Sequence, residues 1–330
     1  MKQWRLWLGI LISTGCLFLA IRGVDVMLLR QTLRGVQVPY LLLALLLSPW
    51  LALLRAVRWQ GLLDPVTAAS TQGLFHVLNI GYLLNNFLPF RLGDFLRAYF
   101  CAELGQCSAV GVLSTIVVER FADTLVIVLL LLALVPAVAL PQQVLRGMLI
   151  AGAAAVTGLL LLLAARQRRT SVLARLQSLS ARVPLCSRLR LADIFAAATD
   201  GFEAIARPRR ALRVVGLSLA IWLSAALQFE LIIRGMHLAV APIAGLLVLC
   251  VTSLGMIIPS SPGYVGVFEY LTVVSLSLLG IGQDAALGTA LVLHASLYLS
   301  TLVLGLLSMW IQGYGYSHLR AAWRQSQLGS

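Results

Sequence analysis

Long apolar segments separated by short polar ones dominate the chain, and they predict helices that cross a membrane. A helix needs about 20 mostly apolar residues to cross the hydrocarbon core of a bilayer. The chain is therefore expected to be an all-α, polytopic integral membrane bundle, with residues 1–330 forming one domain. The apolar runs cover about residues 6–21, 40–57, 73–90, 109–135, 144–165, 212–233, 243–258, 267–279 and 285–311.

Two of these runs meet stretches that are too irregular for a lipid-facing helix. The first break, residues 85–93, begins with Asn85 and Asn86 and contains Pro89 and Gly93. The second break, residues 259–266, holds two prolines and two glycines within eight residues. Irregular backbone at membrane depth is tolerated where protein covers it or where it lines a wet cavity. Interrupted segments in two halves of a chain also point to a transporter's binding site, although the second break is equally typical of a tight turn.

Composition agrees with the pattern, since 60% of residues are hydrophobic, 11% are charged and the mean hydropathy is +0.94. Soluble domains are nearer half apolar and a quarter charged. The net charge of +13 is concentrated in residues 166–213, which carry eleven arginines against Asp193, Asp200 and Glu203. Beside membrane spans this is the positive-inside signal, so no nucleic acid partner is expected; a specific docking role is the alternative.

The positive-inside rule also predicts the topology. If Lys2 and Arg5 are cytoplasmic, Arg58 returns to that side after two spans, and three apolar runs then precede the basic stretch 166–210. One of the three must not cross, and the run that ends in the first break is the best candidate for a re-entrant hairpin. We therefore predict eight full spans, both termini in the cytoplasm, and a cytoplasmic, amphipathic loop at 166–210 in a bacterial inner membrane.

Charged residues near these segments are the candidate site, because ionisable groups inside spans need a partner or a polar cavity. Arg91, Asp94 and Arg97 are spaced by three, so Asp94 can pair with both arginines on one helix face. The resulting positive cluster suits a phospholipid phosphate, or it is a salt-bridge cap at the start of a helix.

Glu119, Arg120 and Asp123 lie early in the fourth apolar run, where Glu119 and Asp123 share a face. Two carboxylates could relay a proton or act as an acid–base pair. We favour the alternative, an ion network that braces this helix and lines a cavity. Glu269 follows the second break directly, and His294 is interpreted as a packed polar contact.

Dispersed cysteines and histidines argue against metal or disulfide chemistry. The five cysteines are odd in number and scattered, and only Cys101 and Cys107 lie close together. No Gly-rich phosphate loop ending in Gly-Lys-Ser/Thr is present, so ATP is not expected to drive the protein. We predict no metal and no cofactor.

Four motifs occur in order along most of the chain: Arg55-Ala56-Val57-Arg58-Trp59, Asn85 through Arg97, Glu119-Arg120 with Asp123, and Pro262-Gly263-x-x-Gly266-x-x-Glu269. Together they resemble the flippase-like family that includes the membrane part of lysylphosphatidylglycerol synthases. Asp94 departs from the family pattern, which more often has Glu. The sequence holds no aminoacyl-transferase domain, so the resemblance implies lipid movement rather than lysyl transfer.

The expected function is translocation of a phospholipid, glycolipid or polyprenoid lipid between leaflets. A membrane enzyme acting on a lipid head group is one alternative, and a non-catalytic membrane partner of a lipid-modifying enzyme is another. The ligand is expected to be a membrane lipid with an anionic or glycosylated head group. The predicted binding residues are Asn85, Asn86, Arg91, Asp94, Arg97, Glu119, Arg120, Asp123, Pro262, Gly263, Gly266 and Glu269.

Overall fold

Every regular element in the described part of the chain is helical, which confirms the all-α prediction. The structure is a computed structural model that describes residues 4–64, 66–88, 91–182, 191–200, 202, 207–257 and 260–313. Its helices are α1 (Trp4–Ile21), α2 (Val26–Arg34), α3 (Val38–Leu63), α4 (Thr71–Phe87), α5 (Leu92–Gly105), α6 (Ala109–Leu134), α7 (Gln142–Gln167), α8 (Arg169–Arg182), α9 (Leu191–Asp200), α10 (Pro208–Gly235), α11 (Ala244–Gly255), a 3₁₀ turn (Pro262–Tyr264), α12 (Val267–Ser277) and α13 (Gln283–Gln312).

Four helices in the described ranges, α3, α7, α10 and α13, are long and apolar enough to cross a membrane. A fifth crossing is possible if α1 and α2, bent by 89° at the break between them, act as one span. The polytopic helical bundle is thus confirmed. The count of eight spans stays a prediction, since α4, α5, α11 and α12 have only 17, 14, 12 and 11 residues.

The connection that the sequence predicted between the first two spans contains a helix of its own, α2. Asp25 caps this helix, because its side chain accepts a hydrogen bond from the backbone N–H of Met27 at 2.7 Å. The backbone N–H of Asp25 donates to Asp284 Oδ1 at 2.7 Å, which ties the cap to the start of α13. Short amphipathic helices are easily mistaken for polar loops, because the intrinsic helix propensity of the residues is only a weak predictor of structure.

Helices α3 and α10 pack antiparallel against each other and define the two ends of the bundle. At one end, an ion pair joins Arg210, at the start of α10, to Asp64, just after α3. We call this the basic end. At the opposite end, the backbone N–H of Gln37 donates to the carbonyl of Gly235 at 2.9 Å, which joins the start of α3 to the end of α10.

Two helical hairpins enter the bundle from these opposite ends. Helices α4 and α5 begin and end at the basic end, where Thr67 Oγ1 donates to the carbonyl of Gly105 at 3.0 Å. Helices α11 and α12 belong to the other hairpin, whose first residues lie at the opposite end, since the N–H of Gly245 donates to Glu230 Oε2 at 2.9 Å. The described residues of the two breaks lie at the tips of these hairpins, where Arg91 contacts Tyr264.

Close backbone contact holds the first hairpin together and leaves no room for a side chain at Gly93. A Cβ on Gly93 would lie 2.7 Å from the backbone nitrogen of Asn85 and would overlap the carbonyl oxygen of Gly81.

We expect Gly93→Ala to lower the free energy of unfolding by about 1–3 kcal/mol, the usual cost of overpacking. Gly216→Ala is the matched control, because Gly216 lies inside α10 with open space around its Cβ position. The midpoint of thermal denaturation in detergent should fall for Gly93→Ala alone; equal midpoints would contradict the tight contact.

The basic loop packs against the bundle through α9 rather than standing free of it. The carbonyl of Ala197 lies close to the Cβ position of Gly111 on α6, and Phe202 is buried in the core beside α6. Arg169, at the start of α8, forms an ion pair at 2.7 Å with Asp200, at the end of α9. Placement of this loop on a membrane surface stays a prediction, and Glu203 and Ile205 lie outside the described residues.

Candidate functional site

A cavity of about 290 Å³ lies where the tips of the two hairpins meet. Its walls come from α3, α4, α10, α11 and α13, and they mix aromatic, amide and charged side chains. Such a mixture of apolar walls and a few convergent polar groups is typical of ligand-binding cavities. The polar and aromatic lining residues are Ser48, Arg55, Asn79, Tyr82, Asn85, Asn86, Arg91, Asp94, Arg120, Trp222, Gln228, Phe229, Ser253, Tyr264, Phe268, His294, Tyr298, Ser300 and Thr301.

The tips touch each other through Arg91, the residue that begins α5. Its Nε donates to the hydroxyl of Tyr264 at 2.7 Å, and one of its terminal nitrogens lies 3.5 Å from the carbonyl of Met256. Arg91 has a left-handed backbone with φ of 53°, which is uncommon for a residue with a side chain and is often found at functional sites. The first break is therefore anchored on the second.

Gly263 allows the second tip to approach α13. Its φ of +70° lies in the region that favours glycine, and a Cβ there would overlap the hydroxyl of Tyr298. The same Cβ would lie 3.2 Å from the carbonyl oxygen of Asn86 on the first hairpin. The backbones of both tips and the side chain of Tyr298 on α13 thus meet at this glycine.

A network of six buried or half-buried charged side chains lies beside the cavity. Arg97 binds Glu119 through two hydrogen bonds of 2.8 and 3.4 Å. Arg58 lies 3.3 Å from the same carboxylate and also binds Asp123 through both of its terminal nitrogens, one of them at 3.1 Å. Arg120 lies 3.1 Å from Glu119 and 4.0 Å from Asp94. Three arginines and three carboxylates leave the network with no net charge.

Aromatic side chains hold this network in place. The guanidinium of Arg97 lies over the ring of Trp59, 3.7 Å from its centroid, and Trp59 Nε1 donates to Thr115 at 3.1 Å. Trp222 Nε1 donates to Asp123 at 3.0 Å. Cation–π contact and charge-assisted hydrogen bonds compensate the charge of Arg97, which is completely buried, although its Nε has no hydrogen-bond partner among the described residues.

The predicted pairing of Asp94 with Arg91 and Arg97 is wrong. Each side chain contacts a different helix instead. Arg97 forms an ion pair with Glu119 on α6, and Arg91 donates a hydrogen bond to Tyr264 in the second break. Asp94 lies beside Arg120 and accepts a hydrogen bond from Asn85 Nδ2 at 3.2 Å. The i,i+3 rule describes neighbours on an isolated helix, whereas buried groups pair with whatever the next helix presents. The predicted ion network between the fourth apolar run and the first hairpin is present.

Two arginines that face the cavity lie outside the neutral network. Arg55 packs over the ring of Tyr82 at 5.3 Å, and Arg91 binds the hydroxyl of Tyr264. Within the described ranges, neither has a carboxylate partner. The cavity is therefore positive, and it suits an anionic group.

Glu269, at the first turn of α12, closes the second break. Its Oε2 accepts from the backbone N–H of Gly266 at 2.6 Å, and its Oε1 is hydrogen-bonded to Nδ1 of His294. Nε2 of His294 lies 3.0 Å from the carbonyl oxygen of Gly263. Both side chains are buried, but His294 also lines the cavity. No three His, Cys, Asp or Glu side chains come together as a possible metal site in the part of the chain described.

Residues 6–305 match the family model described as the lysylphosphatidylglycerol synthase TM region. The chain belongs to this family. No curated protein and no solved structure matches the chain. The family assignment confirms the resemblance carried by the four sequence motifs, all of which lie inside the matched residues.

In this member of the lysylphosphatidylglycerol synthase TM family, half of the twelve predicted site residues line the cavity. These are Asn85, Asn86, Arg91, Asp94, Arg120 and Gly263. The others support the walls: Arg97, Glu119 and Asp123 lie in the ion network, whereas Pro262, Gly266 and Glu269 shape the second tip.

Sequence reasoning missed several residues that complete the site. Arg58 and Trp59 lie near the end of the second apolar run and have the residue types of an interfacial anchor, yet both are buried in the network. Their place in the arginine-tryptophan motif was the available signal. Trp222 and Tyr298 lie in long apolar helices, where a single aromatic residue carries no signal of its own.

A second cavity of about 450 Å³ lies at the basic end of the bundle, lined by residues that include Arg58, Asp64, Arg210 and Arg213. The residues of α3 and α10 that line this second cavity lie in the helical turns next to those that line the first cavity. Arg58, which donates to Ser218 at 2.8 Å, and Asp123, which accepts from Trp222, lie between the two. The ion network therefore separates two polar cavities.

Proposed function

We propose that the protein moves an anionic lipid between the leaflets of a membrane. The observation that carries this proposal is the positive cavity between two hairpin tips that enter from opposite ends of the bundle. Arg91 and Arg55 offer guanidinium groups to a phosphate, for which the planar fork of arginine is well suited. The acyl chains would stay in the surrounding lipid while the head group occupies the cavity.

Amide groups in the cavity favour a head group that can also donate hydrogen bonds. Asn85 lines the cavity, and its Oδ1 has no hydrogen-bond partner among the described residues. A buried acceptor without a partner is destabilising by about 1–3 kcal/mol, so a hydroxyl or amino group of the ligand would relieve it. A phospholipid whose phosphate is followed by a hydroxyl-bearing or amine-bearing group fits both features.

The burial of Glu119 and Asp123 argues against the alternative of an enzyme that uses them as acid and base. Neither carboxylate lines the cavity, and each is bound by at least one buried arginine. A general acid or base must come within hydrogen-bond reach of the group it protonates or deprotonates. A bracing role for the network is the better explanation of its geometry.

We further propose a bacterial inner membrane with the basic end of the bundle in the cytoplasm. The arginines at the start of α10 lie at that end together with α8 and α9, and cytoplasmic segments are enriched in Lys and Arg. Both termini would then be cytoplasmic. The second cavity would open towards the cytoplasmic leaflet.

The proposal is tested by reconstituting the protein in vesicles with a fluorescent phosphatidylglycerol and quenching the label from outside. Wild-type protein should make inner-leaflet label accessible to the quencher. Arg55→Gln should slow this by about tenfold, the effect of losing one charge-assisted hydrogen bond to the phosphate, and it leaves the contact of Arg91 with Tyr264 intact. Arg146→Gln is the matched control, because Arg146 is exposed on α7 and does not line the cavity.

Mass spectrometry of the same lipid separates the alternatives. A transporter leaves the mass of the lipid unchanged, whereas an enzyme alters it. Absence of both movement and modification would favour a non-catalytic partner of another enzyme and would overturn the proposal. Equal rates for wild type and Arg55→Gln would remove the cavity assignment.

A further inference from the structure

The hydrogen bonds of His294 to Glu269 and to the second break need two hydrogens on this pair of side chains. A carboxylate and a neutral imidazole together carry only one, so the pair must hold one further proton. The carbonyl of Gly263 can only accept, so Nε2 of His294 carries a hydrogen. Nδ1 of the same ring is hydrogen-bonded to Glu269 Oε1, and this contact also needs a hydrogen between the two atoms. The hydrogen belongs either to an imidazolium beside a carboxylate or to a protonated Glu269 beside a neutral imidazole.

In both forms, the pair as a whole has no net charge. Loss of the proton would leave a buried carboxylate facing the lone pair of Nδ1, which costs several kcal/mol unless the groups move or meet water. The second carboxylate oxygen is already occupied by the N–H of Gly266 at 2.6 Å. The arrangement seen here is thus a protonated one.

Few other polar groups act on this pair. Tyr298 on α13 has its ring centroid 4.8 Å from that of His294, and α12 contributes the apolar ring of Phe268 at 4.6 Å. The second break brings the phenol of Tyr264, and α1 brings Ser13, whose hydroxyl accepts from the N–H of Ser261. Within the described ranges, Glu269 and His294 have no ion-pair partner except each other.

The position of the pair links its proton to the hairpin tips. Its hydrogen bonds hold both ends of the segment 263–266, and that segment carries Tyr264, the residue to which Arg91 of the first tip is bound. His294 lines the cavity, so a proton leaving the ring would pass to water there. Release of the proton therefore loosens the contact between the two tips.

We propose that Glu269 and His294 form a proton-binding site that couples proton movement to lipid movement. The proposal rests on the function proposed above. With the proton bound, the pair fixes the second tip against α13 and the first tip. When the proton leaves for the cavity, a carboxylate and a neutral imidazole remain, and the tips can separate to let the head group pass.

Glu269→Gln distinguishes this role from simple packing. The amide oxygen of glutamine can accept from the N–H of Gly266, and its NH₂ can donate to Nδ1 of a neutral His294. The variant therefore reproduces the proton-loaded hydrogen bonds but has no proton to release. It should fold as wild type does, and its rate of lipid movement should be low at every pH.

The experiment measures movement of fluorescent phosphatidylglycerol in vesicles over about pH 5 to 8, the range in which histidine changes its charge. The wild-type rate should rise severalfold with pH, and an imposed pH difference should change it further. Glu269→Gln and His294→Gln should lose both responses. Glu230→Gln is the matched control, because Glu230 also binds a backbone N–H but pairs with Arg234 at 2.8 Å instead of a histidine.

Proton titration of the purified protein separates failure of this inference from failure of the proposed function. Over the same pH range, wild type should release one more proton per chain than Glu269→Gln. If this proton is found but no lipid moves at any pH, the proton site stands and the lipid function falls. If lipid moves at a rate that is independent of pH and unchanged in Glu269→Gln, the proton site is refuted and the lipid function stands.

Discussion

Arg97→Met is expected to destabilise the protein by about 3–5 kcal/mol, the usual consequence of removing one partner from a buried ion pair. Arg97 is completely buried, and it supplies two of the hydrogen bonds to Glu119. Without it, three carboxylates share two arginines, and the buried Glu119 loses one of its charge partners. Methionine keeps most of the apolar volume beside Trp59, so the loss reflects charge more than packing.

A double-mutant cycle tests this electrostatic explanation. Glu119→Gln alone leaves the network with one excess positive charge, and it should also lower the denaturation midpoint in detergent. The combination of Arg97→Met with Glu119→Gln restores neutrality, and it should be more stable than the sum of the two single changes predicts. Arg146→Met, at an exposed position on α7, should stay within about 0.5 kcal/mol of wild type. A purely additive double variant would show that the network does not act as one unit.

The fold could be predicted where a local pattern determines it. Apolar runs identified the long helices, and prolines and glycines marked both breaks, although only the first break was predicted to belong to a re-entrant hairpin. Pattern alone could not show that the tips meet, because the contact of Arg91 with Tyr264 joins residues that are 173 positions apart. Such contacts depend on how whole helices pack, and no local spacing reports that.

The candidate site was predicted by residue type but not by partner. Glu119, Asp123 and Arg97 were expected near a cavity because charges inside apolar segments need compensation. Arg58 escaped this reasoning, since an arginine beside a tryptophan near the end of a span is typical of the membrane interface. The structure instead places Arg58 between two cavities, where it binds Asp123 and Ser218. The depth of α3 in the bundle, not its sequence, decides the role of this arginine.

A closed layer between two cavities is what a transporter with alternating access requires. The first cavity is bounded on this side by Arg55 and Trp222, whereas the second begins at Arg58. Neutrality of the ion network suits such a layer, because a neutral layer neither retains nor repels a head group strongly once it opens. In the proposed function, the two arginines outside the network, Arg55 and Arg91, would supply the attraction inside the first cavity.

Trp222→Ala is expected to open this layer, because the indole ring lines the first cavity and holds Asp123 through a hydrogen bond of 3.0 Å. A cysteine at Ser253, which also lines the first cavity, reports the opening in a chain whose native cysteines are replaced by alanine. With Trp222 present, a thiol reagent that cannot cross membranes should label this cysteine from one side of the membrane only. With Trp222→Ala, labelling from both sides should become comparable.

Trp222→Phe is the matched control, since it keeps an aromatic ring in the layer and removes only the N–H donor. It should preserve one-sided labelling. Because Trp222 is half-buried, the alanine variant should lose less than the 3–5 kcal/mol or so of a fully buried aromatic residue, and it should remain folded in membrane vesicles of both orientations. One-sided labelling in Trp222→Ala would mean that Arg58 and Asp123 close the layer without the ring, and Arg58 would then be the residue that moves when the head group passes.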